Sequence, residues 1–397
     1  MNTPTEGTPG EVLRAFAKLG VTSFGGPVAH IGYFRDEFVI RRKWLGDAAY
    51  ADLVALCQFL PGPASSQVGL VLGLMRAGWL GALAAFAAFT LPSALLLLGF
   101  ALAAPAIGGP VGLGVLDGLK IVAVAIVAQA VWGMAQNLCP DRARAAIAVA
   151  AVAVLAFVPG AAGMVGAIIL GGLAGLVLRP PGARAESRAV TMTIPRPLAV
   201  AALLGFAGLL LGLPLLAAQA QWLALIDGFF RAGALVFGGG HVVLPLLQAE
   251  VVAPGWVSED AFLAGYGAAQ AIPGPLFTFA AYLGAVSGPA PNGLLGATIA
   301  LLAVFVPGFL LLVGLLPFWE RFRTLPTARS AMMGANAAVV GILGAALYSP
   351  VFTSAIGDLR DLALALLCFV LLMAWKVPPW AVVIVAGAGG AGLALIG

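Results

Sequence analysis

Charged residues are scarce in this chain. Only 9% of its 397 residues are charged, whereas 62% are hydrophobic and the mean hydropathy is +1.06. A soluble domain needs more charge than this to cover its surface. The composition therefore excludes an ordinary soluble protein and indicates an integral membrane protein. The net charge of +4 is small and lies mainly in loops, so we expect the lipid bilayer as a partner and no nucleic acid.

Cysteine and histidine are also few. The three cysteines are far apart and odd in number, and the two histidines are His30 and His241. These residues form neither a disulfide framework nor a metal-ligand spacing. No phosphate-binding loop of the Gly-x-x-x-x-Gly-Lys-[Ser/Thr] type and no dinucleotide fingerprint is present. We therefore expect no cofactor, no metal and no enzymatic activity. The polar N-terminus predicts no cleaved signal peptide.

Long hydrophobic segments are present instead. Residues 79–104 and 197–216 carry no charge, and each is long enough for a helix of about 20 residues to cross a bilayer. The apolar segments are continuous and do not alternate with polar residues, which excludes the pattern of a β-barrel. The sequence therefore predicts an all-α polytopic membrane protein.

The chain contains an internal repeat. Residues 16–39 align with residues 229–252, so that Phe-Gly-Gly falls on Phe-Gly-Gly, and the stretch "QFLPGP" returns 212 residues later as "QAIPGP". Further on, Lys120 aligns with Asn336. The match predicts a duplication. The predicted units are a first repeat (1–178), a basic linker with a connecting helix (179–216) and a second repeat (217–397).

Loop charges predict how the repeats lie in the membrane. Each repeat is expected to form two broken helical hairpins followed by about four spanning helices. The basic loops then fall on one side, which the positive-inside rule assigns to the cytoplasm. One extra spanning helix joins the repeats, so the second has the inverted topology that is common in secondary transporters. This arrangement places the N-terminus in the cytoplasm and the C-terminus in the periplasm. Whether the hairpins are re-entrant or cross fully stays open.

Glycine and proline interrupt four apolar stretches. Each interruption predicts a half-helix with free N–H groups at its N-terminus, which favours an anion, and such a break is tolerated in the bilayer where it lines a wet cavity. Hydroxyl and amide side chains close to the breaks add hydrogen-bond donors. The predicted anion-binding residues of the breaks are Gly25, Gly26, Pro27, His30, Gln58, Pro61, Gly62, Pro63, Ser65, Ser66, Gly238, Gly239, Gly240, His241, Gln270, Pro273, Gly274, Pro275 and Thr278.

The motifs "SFGGPVAHIGYFRDEFV", "QFLPGPASSQVG", "FGGGHVVLPLLQAEVV" and "QAIPGPLFTFAAYLG" together resemble the chromate transporter family in its long, two-domain form. The resemblance covers both halves. It implies chromate efflux across a bacterial inner membrane, with chromate resistance as the outcome. Chromate is similar to sulfate in shape and charge, so sulfate or another dianion stays open as the natural substrate.

Charged residues occupy matched positions in the two repeats. Lys18 aligns with Arg231. Both residues could supply positive charge to a dianion, and the alternative is that both extend to the membrane interface. Glu37 aligns with Glu250, and both are candidates for proton coupling. For Glu37 a salt bridge with Arg41 is the favoured alternative, since the two are one helical turn apart. Glu250 has no basic residue near it in sequence.

The sequence leaves three functions open. Alternating access driven by the membrane potential or by a proton gradient is favoured. An anion channel with the same half-helix site is the second alternative, and a membrane-embedded reductase is less favoured. Gly171 and Gly175, with the segment "GAGGAG" at 387–392, offer close-packing surfaces for either a homodimer or the chain itself.

Overall fold

The structure is a computed structural model that describes residues 7–178, 194–319, 321 and 325–396. The described residues form helices and connecting turns, without a strand. The helices of the first repeat are α1 (Pro9–Thr22), α2 (Gly26–Phe34), α3 (Asp47–Phe59), α4 (Ala64–Ala103), α5 (Gly109–Leu138), α6 (Arg142–Phe157) and α7 (Ala161–Gly175). The connecting helix and the second repeat comprise α8 (Arg196–Leu216), α9 (Gln221–Ala234), α10 (Val243–Val251), α11 (Glu259–Gln270), α12 (Phe279–Val286), α13 (Gly293–Leu315), α14 (Pro326–Ala346), α15 (Leu359–Met373) and α16 (Pro379–Ile396).

The helix starts follow from local sequence. Thr8 caps α1 by accepting a hydrogen bond from the Glu11 N–H, and Pro9 occupies the first turn, where its missing N–H costs nothing. Asp141 and Ser258 cap α6 and α11 in the same way. Within the described residues, six helical segments are long and apolar enough to cross a membrane. The all-α membrane fold predicted from the sequence is therefore confirmed.

The hairpin arms are shorter than the spanning helices. The backbone of α4 leaves the helical conformation at Ala77 and Gly78, so its first part, 64–76, forms a hairpin arm with α3 and its second part, 79–103, a long helix. Among the arms, α1 has 14 residues and α3 has 13, or about 20 Å at 1.5 Å per residue. This length is below the roughly 30 Å of the hydrocarbon core. The arms match the predicted hairpins in position.

The last helix of each repeat packs against a helix of the other repeat. From the first repeat, α7 packs along α14 of the second, and α16 of the second repeat packs along α5 of the first. Small residues make both contacts close. A Cβ on Gly171 would lie 2.8 Å from the carbonyl oxygen of Gly334, and a Cβ on Gly114 would lie 2.6 Å from that of Gly390. The glycine surfaces that the sequence left open for a homodimer thus pack within the chain.

Most of the predicted basic linker falls outside the described residues. The structure resumes before α8, the helix that connects the repeats. In the second repeat α8 contacts α13 and α9. The boundaries 1–178, 179–216 and 217–397 stay predictions.

Candidate functional site

The four predicted breaks, in chain order at residues 25–27, 61–63, 238–240 and 273–275, each separate two helical segments. The backbone of Gly62, between α3 and α4, has φ +117°, and that of its counterpart Gly274, between α11 and α12, has φ +97°. These left-handed conformations are accessible to glycine at little cost. A Cβ would also be crowded, since it would lie 3.0 Å from Gly308 Cα at Gly62 and 2.8 Å from Ser93 Oγ at Gly274. Each Pro-Gly-Pro turn therefore requires glycine for two reasons, the left-handed backbone and the lack of space for a Cβ.

Backbone hydrogen bonds join the breaks of one repeat to the breaks of the other. The Gly62 N–H donates to the Val236 carbonyl over 2.8 Å, and the Gly274 N–H donates to the Ser23 carbonyl over 2.9 Å. Ser23 and Val236 are equivalent residues in the repeat alignment, as are the two glycines. These paired hydrogen bonds satisfy backbone groups that would otherwise be costly at membrane depth. They also show that the duplicated sequence forms a symmetric central junction.

A cavity of ≈ 660 Å³ opens at this junction. Three of the four breaks contribute to its wall, together with one face of α5 and a side chain from α14. The lining residues from the breaks and the adjoining helix ends are Gly25, Pro27, Ile31, Cys57, Gln58, Leu60, Gly62, Ala64, Gly238, Gly239, Gly240 and His241. The remaining wall consists of Gln129, Ala130, Gly133, Met134, Asn137, Leu138 and Asn336.

Neutral hydrogen-bonding groups line this cavity. Its polar side chains are the amides of Gln58, Gln129, Asn137 and Asn336 and the imidazole of His241. No charged side chain is among the described lining residues. His241 Nδ1 lies 2.7 Å from the hydroxyl of Tyr266, which holds the ring in place. Amide N–H groups and the N-termini of α2 and α4 suit the oxygens of an anion.

Two of these amides were missed by sequence reasoning. Gln129, Gly133 and Asn137 are spaced by four residues and so lie on one face of α5. Polar residues on a single face of an otherwise apolar membrane helix indicate a buried or wet surface. That spacing is the signal that could have found them. Asn336 aligns with Lys120, and its Oδ1 atom is buried without a hydrogen-bond partner among the described residues.

The family model for chromate transporters matches residues 10–176 and again 223–393. The chain belongs to the chromate transporter family. A chromate transport protein of Pseudomonas aeruginosa is 30% identical over 345 residues, which cover 84% of this chain and 79% of that protein. A probable chromate transport protein of Synechococcus elongatus is 29% identical over 410 residues, covering 96% and 94%. A chromate transport protein of Cupriavidus metallidurans is 28% identical over 372 residues, covering 92% and 88%. No solved structure matches the chain.

In this member of the chromate transporter family, the fourth break lies outside the cavity lining. Its Pro273, Gly274 and Pro275 are buried, and the Thr278 hydroxyl donates to the Pro275 carbonyl. Gln270 is half-buried, and its Nε2 atom has no partner among the described residues. The four breaks expected to share one cavity are thus divided into three that line it and one that is closed.

The two histidines have different surroundings. His241 lines the cavity, whereas His30 is fully buried beside it. The His30 ring lies 3.1 Å from the Ser23 carbonyl oxygen through Nε2 and 3.4 Å from the Ser65 hydroxyl through Nδ1. Ser65 and Ser66 are buried as well and do not line the cavity. His30 therefore joins the first break to the start of α4, which is a structural contact.

The matched charges form ion pairs away from the cavity. Lys18 Nζ lies 3.9 Å from Glu37 Oε2, and Arg231 Nε lies 3.2 Å from Glu250 Oε1. Glu37 also binds Arg41 at 2.7 Å and Arg42 at 2.6 Å, so the predicted salt bridge is confirmed. Glu250, which has no basic neighbour in sequence, thus gains one through the fold. The charges predicted for anion binding and coupling are thus paired with one another and do not line the cavity.

The remaining predicted residues lie beside the cavity. Gly26, Pro61 and Pro63 belong to the same turns as the lining glycines but are not among the lining residues. Gly26 has φ +74° at the start of α2, and Pro63 is the residue before the first turn of α4. Their contribution is therefore to the shape of the turns that border the cavity.

Proposed function

We propose that this protein exports chromate, or a similar tetrahedral dianion, through the cavity at the junction of the broken helices. The observation that carries the proposal is the convergence of three breaks and four neutral amides on one cavity, in a chain of the chromate transporter family. The membrane is proposed to be the bacterial inner membrane, with the N-terminus in the cytoplasm.

Neutral donors are suited to a substrate that must be released again. A fixed cation would hold a dianion strongly, and Coulomb attraction is large where water is excluded. Backbone N–H groups at helix N-termini and amide N–H groups give weaker, directional contacts. We expect the anion to lie between the N-termini of α2 and α4, within reach of Gln58 and Asn336. This placement accounts for the absence of charge among the described lining side chains.

The membrane potential supplies a sufficient driving force. Moving one charge through 100 mV is worth about 2.3 kcal/mol, so export of a dianion from a negative cytoplasm gains about 4.6 kcal/mol. We propose alternating access, in which the hairpins hold the anion while the surrounding helices move. The ion pairs of Glu37 and Glu250 favour a structural role for both residues over proton coupling.

The test is labelled chromate uptake into everted membrane vesicles under an imposed potential, with and without excess sulfate. We expect accumulation that rises with an inside-positive potential and that sulfate reduces. A vesicle preparation from cells with the empty vector is the control. Folded protein without any accumulation would contradict the proposed function. Loss of chromate colour without transport would indicate a reductase instead, and currents far above a carrier's rate would indicate a channel.

A further inference from the structure

The contact between α11 and α5 has no counterpart in the other half. The two helices pack closely, and a Cβ on Gly267 would collide with the carbonyl oxygen of Leu119. By the repeat alignment, the equivalent pair is α3 with α14. These two helices, both within the described residues, do not pack along each other, and the cavity lies between them, with Gln58 of α3 and Asn336 of α14 in its wall.

An ion pair holds the closed side together. Lys120 Nζ lies 2.9 Å from Asp260 Oδ1 at the start of α11, and 2.7 Å from Asp117 Oδ1 on its own helix. The Lys120 side chain is only 16% exposed. A second contact at the same end of α11 is the hydrogen bond from the Ser354 hydroxyl to Glu259 Oε2, at 2.8 Å. The residues equivalent to Lys120 and Asp260 are Asn336 and Ala48, which cannot form such a pair.

We propose that α11 is the gate of a second access path, and that Gln270 and Lys120 line a second cavity when α11 separates from α5. In that state Gln270 and Lys120 would occupy the places that Gln58 and Asn336 occupy here. Lys120, released from Asp260, keeps its charge partly balanced by Asp117 on its own helix and offers its freed N–H group to an anion in transit. The inference extends the proposed function by naming the second set of residues that meets the substrate.

Symmetry between the repeats and an unsatisfied polar group both point to this second path. Two copies of one unit that hold different conformations can each adopt the conformation of the other. When both do so, the cavity opens to the opposite side of the membrane. Gln270 is carried by α11, and its Nε2 atom is buried without a hydrogen-bond partner among the described residues. Such a group is costly in a closed state and is satisfied once water or an anion reaches it. Its equivalent, Gln58, is already exposed in the cavity.

The first test measures access to Gln270 without any substrate. In full-length protein that lacks Cys57, Cys139 and Cys368, we would introduce Gln270→Cys and follow its labelling by a maleimide in permeabilised membranes. Asp260→Asn weakens the ion pair, and we expect it to raise the labelling rate about fivefold. Asp47→Asn is the matched control, since Asp47 pairs with the exposed Arg35, and we expect no change.

A companion measurement reports the opposite cavity. Gln58→Cys should label rapidly in the starting protein, and Asp260→Asn should slow that labelling, because opening one side closes the other. Equal labelling of Gln270→Cys with and without Asp260→Asn, or labelling of both positions that rises together, would overturn the gate.

The second test locks the gate. Lys120→Cys combined with Asp260→Cys would be joined by a short bis-maleimide, and chromate uptake would be measured before and after. We expect cross-linking to reduce uptake at least tenfold while binding of labelled chromate to the solubilised protein persists. Undiminished uptake after complete cross-linking would contradict the proposal. If the protein with Lys120 and Asp260 in place moves no chromate, the proposed function fails, while the labelling rates still decide whether α11 is a gate.

Discussion

The two Pro-Gly-Pro turns both have a left-handed glycine but opposite surroundings. Gly62 borders the cavity, whereas Gly274 is buried against Ser93 of the first repeat. Each glycine N–H donates to the other repeat at an equivalent carbonyl. The turn geometry therefore follows from the local sequence, while access to the turn depends on the neighbouring helix. In this state α11 is packed against α5, and α3 is not packed against α14.

The charged residues show a second difference between the halves. Glu37 is surrounded by Lys18, Arg41 and Arg42, whereas Arg231 is shared by Glu250 and Asp227. The first cluster thus has an excess of positive charge, and the second has an excess of negative charge. The aligned acid–base pairs, Lys18 with Glu37 and Arg231 with Glu250, therefore have neighbours of opposite net charge. We expect the loss of the base to change stability differently in the two repeats.

The largest effect on stability and transport together is expected where the two turns are most alike. Gly62→Val forces a branched side chain into a left-handed conformation, at about 1–2 kcal/mol, and adds overpacking against Gly308 of about 1–3 kcal/mol. We expect a lower thermal stability in detergent and loss of chromate uptake. Gly26→Ala is the milder comparison, since it carries the left-handed strain at φ +74° but its Cβ would meet nothing within 4 Å. Equal stability of the two variants would contradict the account of the turn.

The second prediction concerns the negative cluster. Arg231→Gln leaves the Glu250 and Asp227 side chains, which are 12% and 7% exposed, without their shared cation. Stranding a buried charge costs about 3–5 kcal/mol. We expect a lower unfolding temperature and unfolding at a lower urea concentration. Arg231→Lys, which keeps the charge, should recover part of the loss. A variant as stable as the parent would show that the cluster adds nothing to the fold.

The third prediction separates the cavity from its surroundings. Gln58→Leu removes an amide from the cavity wall, and we expect chromate affinity to fall about tenfold, in line with a hydrogen bond to a charged group of about 1.5 kcal/mol. Gln248→Leu is the matched control, because Gln248 lies on α10 outside the cavity lining. Equilibrium dialysis of purified protein provides the measurement. The same affinity for both variants would remove Gln58 from the site.

The smallest effect is expected at the position equivalent to Arg231. Lys18 is 54% exposed, and Glu37 retains two arginines without it. Exposed ion pairs contribute about 0–1 kcal/mol. Lys18→Gln should therefore change the unfolding temperature little and leave chromate uptake close to that of the parent. A loss as large as that of Arg231→Gln would mean that the two halves are not different in this respect.

Much of the fold was readable from the sequence. The repeat alignment located Gly62 and Gly274 at matched turns, because a Pro-Gly-Pro in an apolar stretch cannot continue a helix. Which turn is open was not readable, since the two turns are identical in sequence and differ only in what packs on them. The alignment also paired Glu37 with Glu250, but the proximity of Arg231 to Glu250 depends on how α9 and α10 fold together.

The most direct test of the central claim is to locate chromium in crystals grown with chromate, by anomalous scattering at the chromium absorption edge. The account predicts one peak in the cavity, within hydrogen-bond reach of the N-termini of α2 and α4 and of Gln58 or Asn336. A peak instead at the ion pairs of Lys18 or Arg231, with the cavity empty at saturating chromate, would contradict it.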